Sequence, residues 1–138
     1  MADAVTSQTL SDGATTAVMK FTNLSDCNGE AAVKKVDVSA LTAHPDGTAC
    51  SQVTIDQIWY DVGGMRLAIY FDASTNVPAL VLGGSAAAGN VQGHMDFRSF
   101  GGIKNNAGGG ITGDIDFTTS GHTNLDHYTI ILEMRKSY

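Results

Sequence analysis

Two cysteines, two prolines and one tryptophan among 138 residues leave little of the chemistry by which a chain usually announces its function. Cys27 and Cys50 lie 23 positions apart and lack both the C-x-x-C spacing and the histidine partners of a zinc site. They read as two free thiols, with one disulfide between them as the alternative if the mature protein ends up outside the cell. No stretch reaches the roughly eighteen apolar residues that a membrane helix requires, so no membrane partner is expected. Basic residues are also scarce. Eight Lys and Arg face fourteen Asp and Glu, the net charge is -6, and Lys34-Lys35 and Arg135-Lys136 are the only adjacent basic pairs. A chain of that charge repels a phosphate backbone, so nucleic acid is not an expected partner. The start, Met1-Ala2-Asp3-Ala4, has no basic n-region and no apolar h-region, which predicts synthesis in the cytoplasm. The sequon Asn23-Leu24-Ser25 is therefore expected to carry no glycan.

What is present argues for a folded, β-rich chain. Hydrophobic residues make up 43% and charged residues only 16%, far from the composition of a disordered segment. The length suits one domain spanning 1–138 with a true core. Thr, Val and Ile together number 32, Gly 16, and Asp outnumbers Glu twelve to two, a mixture that favours strands and turns over helices. Alternation supports this. In "QVTIDQIWYD", Val53, Ile55, Gln57 and Trp59 alternate with Thr54, Asp56, Ile58 and Tyr60, which predicts Trp59 in the core beside Val53 and Ile55. "MRLAIYFD" puts Met65, Leu67, Ile69 and Phe71 on one face, and Asp61-Val62-Gly63-Gly64 between the two runs predicts a hairpin turn.

A second hairpin is predicted near the C-terminus. Gly113, Ile115 and Phe117 share a face opposite Asp114 and Asp116, "SGHTNLD" turns, and Tyr128, Ile130, Leu132 and Met134 form the next apolar face. Upstream, Ala17, Met19 and Phe21, then Val33, Val36 and Val38, mark two more strands joined through Asn28-Gly29. "VPALVL" and "VQGHMDF" complete about eight, with Pro78 confining the former to an edge or a strand start. Turn signals recur at Asp12-Gly13, Asn28-Gly29, Pro45-Asp46-Gly47, Gly63-Gly64, Gly83-Gly84 and Gly108-Gly109-Gly110. The expected fold is all-β, a single-domain antiparallel β-sandwich of jelly-roll type.

Each search for a reactive constellation fails at the level of sequence. The six glycines of "GGIKNNAGGGITGDIDFTT" resemble a phosphate cradle until their context is read: Lys104 precedes the triple glycine, and a strand, not a helix, follows it. The cluster reads as a loop needing positive φ and close approach. Ser85 in "GGSAAAG" has Ala87 where a nucleophile elbow requires glycine. His44, His94, His122 and His127 show no H-x-x-x-H spacing; His122 and His127 flank the last turn with Asp126 but would need further ligands to hold a metal. Asp114-x-Asp116 sets two carboxylates about 7 Å apart on one strand face, which also describes acids on the wet side of a half-buried strand, the reading preferred here. No catalytic, cofactor-binding or metal residue is expected, and the protein is not expected to be an enzyme.

Several segments taken together, "ADAVTSQTLSDG", "AVMKFTNLSD", "GEAAVKKVDVSAL", "GGIKNNAGGGITGDIDFTT" and "SGHTNLDHYTIILEMRKSY", resemble small virion structural proteins of tailed phages, especially marine ones. The likeness spans most of the chain and is weakest between Asp72 and Gln92. It implies a decoration or cement protein on the outer capsid surface of a bacteriophage virion, made in the host cytoplasm. The implied partners are the major capsid protein and the protein itself, in a symmetric oligomer. A homotrimer is favoured by analogy with decoration proteins on local threefold positions. A tail, baseplate or fibre component is the alternative, with a carbohydrate-binding β-sandwich module behind it. "AVTSQTL", within residues 1–10, reads as an extended N-terminal arm able to add to a neighbour's sheet.

Overall fold

The computed structural model describes residues 4–83, 90–121 and 124–138. Nine strands occur among them: β1 (Ala4–Asp12), β2 (Thr16–Asp26), β3 (Val33–Val36), β4 (Gln52–Gly63), β5 (Arg66–Phe71), β6 (Val77–Gly83), β7 (Asn90–Asp96), β8 (Ile115–Ser120) and β9 (Asn124–Ser137). They form two antiparallel sheets, one ordered β1-β2-β9-β4-β7 and the other β3-β8-β5-β6. Apart from β1, the chain pairs β2 with β9, β3 with β8, β4 with β7 and β5 with β6. This is one long hairpin bent at β5–β6 and rolled up, which makes a jelly-roll sandwich.

The two inner faces supply the core. Met65 just before β5, Leu67, Ile69 and Phe71 from β5, and Tyr128, Ile130, Leu132 and Met134 from β9 are all buried on the inner side, as their alternation predicts. Phe21 and Tyr128 each meet Phe117 edge-on, with centroids 5.2 and 5.7 Å apart, so aromatic rings from both sheets interlock at the centre. Pro78 lies on β6, which pairs only with β5 and so forms a sheet edge. An edge strand tolerates the missing N–H, as expected.

Both predicted hairpins are wrong in one respect. The flanking runs are strands, but β4 and β5 belong to opposite sheets, and so do β8 and β9. Glycine next to an alternating run signals a sharp bend and is silent on whether the chain returns within the sheet or crosses to the other. At the β4–β5 corner Gly64 adopts φ +77, and a side chain there would collide with the Asp126 carboxylate. The two corners are thus wedged against each other, which glycine permits.

Polar plugs close the layer between the sheets. The buried Glu30 carboxylate accepts hydrogen bonds from Asn23 Nδ2 (2.8 Å) and the Tyr128 hydroxyl and pairs with the Lys35 ammonium. The Lys136 side chain is fully buried. Its ammonium donates to Asp12 Oδ1, Gly13 O (2.6 Å) and Thr42 O (2.8 Å), using all three protons. Burial pushes Asp12 up, but the Lys136 ammonium and the Thr42 N–H outweigh it and hold the carboxyl below its ordinary value.

At the margin, β1 runs along β2 with its other edge unpaired, and residues 5–11 are exposed. The stretch read as an arm is, from residue 4 onward, an edge strand of the protein's own sheet.

Candidate functional site

A register shift between Ile55 and Gln57 makes Asp56 an extra residue in β4. Before this bulge Val53 and Ile55 face inward; after it the inward residues are Ile58 and Val62, all fully buried. Trp59 therefore turns outward, 38% exposed, and not into the core as strict alternation predicts. A bulge shifts parity by one, so every later side chain changes face. The cause lies beside it. β7 ends at Asp96, and Ile103 takes its place by exchanging two backbone hydrogen bonds with Ile55 (3.0 and 2.8 Å). That approach depends on Gly102 at φ +85, since a Cβ there would stand 2.8 Å from Asp56 Oδ1 and 3.0 Å from Ile55 O. Gly101, Gly102, Gly110 and Gly113 all have positive φ, so the glycine-rich loop bends as expected.

The outer face that receives Trp59 is ordered in rows across the five-stranded sheet. One row reads Gln8, Lys20, Ile131, Trp59, His94 and the next Thr6, Thr22, Thr129, Asp61, Gln92. The indole stacks on the His94 imidazole with centroids 4.8 Å apart and planes 15° from parallel. His94 is held in turn. Its Nε2 lies 2.8 Å from Gln57 Oε1, and because a carbonyl oxygen only accepts, Nε2 carries the proton. Gln57 Nε2 donates onward to Glu133 Oε2. Trp59 is thus the last member of a braced chain, Glu133–Gln57–His94–Trp59. Beside it lies an open depression of about 430 Å³, lined by Trp59, Tyr60, Asp61, Gln92, Gly93, Thr129 and Ile131. Asp61 Oδ1 is itself buried and has no hydrogen-bond partner among the described residues.

The opposite outer face behaves differently. Asp116 on β8 and Asp114 just before it do lie on the outer side, but they are 4% and 5% exposed and not solvated as their alternation suggests. Loops roof them. Ser74 N donates to Gly109 O (3.2 Å) and Thr112 Oγ1 to Asp72 Oδ2 (2.7 Å), clasping the β5–β6 loop to the glycine-rich loop. Asp114 Oδ1 accepts from Val38 N (2.9 Å) and its Oδ2 lies 2.9 Å from Lys34 Nζ. Burial, then the Asp72 carboxylate alongside, push Asp116 up to about 6. Chemically this is a buried carboxyl that keeps its proton to near neutrality.

The other residues singled out by sequence do not converge. His44 rests edge-on against Tyr138 and His127 lies under Gly63, at different places in the fold. Ser85, Gly84 and His122 lie outside the described residues. Cys27 is exposed and Cys50 buried, and both are free thiols. Burial raises the Cys50 thiol above its ordinary value. Among the described residues, no three His, Cys, Asp or Glu side chains are grouped so as to hold a metal ion, and no helix is long and apolar enough to cross a membrane. No protein-family model, curated protein or solved structure matches the chain.

Proposed function

We propose that the protein is a structural subunit of a tailed-phage virion, a decoration or cement protein that binds the outside of the capsid shell as a symmetric oligomer and stabilises it. The sequence resemblance suggests the role, and the observation that carries it is the state of β1. β1 forms the edge of the five-stranded sheet, with one side unpaired and exposed side chains, Val5 and Leu10 among them. Natural edge strands are normally guarded by lysine, proline or inward charge. β1 carries none before Asp12; its one irregularity is the register shift between Thr9 and Ser11. Such an edge suits a partner strand from a second copy or from the major capsid protein, joined by main-chain hydrogen bonds. Contacts of this kind, repeated by symmetry, give stability without chemistry, and the charge of -6 keeps the unassembled protein soluble.

Electron microscopy of particles bearing the labelled protein tests the assignment. Density on the shell is expected; density on the tail or baseplate makes it a component of those parts, and absence from the particle overturns the reading. Light scattering of the intact chain is expected to give a trimer. Deletion of residues 1–10 is expected to dissociate it and abolish particle binding, whereas an unchanged oligomer and unchanged binding exclude docking through β1.

A further inference from the structure

Trp59 is the chain's only tryptophan, and the fold spends a β-bulge to set it on the open face. A side chain that stabilises so strongly when buried is costly to leave in water unless something covers it. We infer that the depression beside Trp59 binds a neutral saccharide, with the indole as the platform for one sugar ring. This does not depend on the virion assignment.

Three features argue for that ligand. First, the indole is held in place. His94 covers one face and is fixed through Gln57 to Glu133, so the exposed part of the indole meets the depression already ordered, and little ordering cost falls on binding. Second, the lining matches a pyranose, which has an apolar C–H face and a belt of hydroxyls that both donate and accept. Trp59 and Ile131 supply apolar surface, while Asp61, Gln92 and Thr129 supply a carboxylate, an amide and a hydroxyl. Third, a volume of about 430 Å³ suits one or two sugar rings, and its open form lets a longer chain continue across the sheet.

The same features disfavour other occupants. Trp59 and Ile131 stand among Thr6, Thr22, Thr129, Gln8 and Lys20, an apolar spot far smaller than the roughly 800 Å² per partner of a standard protein interface. Asp61 and Glu133 nearby, and the net charge of -6, repel phosphate, sulfate and uronate groups.

Because no other tryptophan contributes, the tryptophan emission of the intact protein reports on this site alone. Titration with maltohexaose, cellohexaose, laminarihexaose and chitohexaose is expected to give a saturable shift with at least one, and dextran sulfate none. Calorimetry with the saccharide that binds is expected to show affinity falling about tenfold or more in Trp59→Ala and about threefold in Gln92→Ala, with both variants melting near the parent. The inference is overturned if no neutral saccharide gives a saturable shift, if only dextran sulfate does, or if Trp59→Ala binds with the parent's affinity. Gln92→Ala keeps the tryptophan, so full affinity in that variant overturns it even if Trp59→Ala fails to fold. Loss of oligomers in Trp59→Ala without saccharide binding by the parent makes the face a protein interface and also overturns it. Absence of the protein from particles would leave these results untouched, just as absence of binding would leave the virion reading standing.

Discussion

The two outer faces of the sandwich carry acids at similar positions and treat them in opposite ways. On the four-stranded sheet, Asp114 and Asp116 are covered by loops and matched to Lys34, Val38 N–H and Asn76. On the five-stranded sheet, Asp61 and Glu133 lie on a face that no loop among the described residues roofs, beside a braced but exposed indole. Alternation tells which side of a sheet a residue occupies; what lies above that side decides whether it is wet. One face has been given to internal stability, and the other has been left available.

The layer between the faces sets the scale for variants on either. Glu30→Ala strands the buried Lys35 ammonium and leaves Tyr128 and Asn23 without their shared acceptor, so it is expected to cost about 3–5 kcal/mol in urea unfolding. On the roofed face, Asp114→Ala removes the acceptor of the buried Val38 N–H and is expected to cost roughly 2–3 kcal/mol by the same measurement. A loss below about 0.5 kcal/mol would mean that the roof does not isolate this carboxylate from water.

The roofed face also predicts a pH dependence. Asp116 has a folded-state pKa of about 6 against an ordinary value of 3.8, so the fold holds its proton more tightly than the unfolded chain does. Its contribution to stability is complete below about 3.8 and is lost as the pH rises through about 6. Asp116→Asn is expected to raise stability at pH 7.5 by roughly 1–2 kcal/mol and to flatten the profile between pH 4 and 7. An unchanged profile would place Asp116 in water and erase the contrast between the faces. The smallest effect is expected on the open face, where Trp59→Ala should change stability by no more than about 1 kcal/mol. A cost equal to that of Asp114→Ala would show that the indole supports the fold and is not held in reserve.

Those contrasts mark what the sequence discloses. Met65 to Phe71 and Tyr128 to Met134 could be assigned to the core because their alternation is unbroken and burial is symmetrical along each strand. Trp59 could not, because its parity depends on an extra residue that fits only when Ile103 arrives from 48 positions away to replace β7. Asp114 and Asp116 sit on the side that alternation predicts but in another environment, since Lys34 and the Val38 N–H meet the first while Asp72 and Asn76 of the β5–β6 loop meet the second. The strand inventory was legible from local pattern, while the sheet to which each strand belongs is a property of the whole roll. The only sequence signal for the Trp59 site is Gly101-Gly102, two bends just after β7, and its meaning requires the structure.

The last strand has a further consequence. β9 lies in the middle of the five-stranded sheet, between β2 near the beginning of the chain and β4 halfway along it. Until it has emerged from the ribosome, those two strands have no common neighbour and half of the inner layer has no backing. Productive folding must therefore wait until β9 has been made, and it must join distant parts of the chain at once, which makes it slow. During that interval the nascent chain depends on its turn glycines and acidic residues to stay out of aggregates.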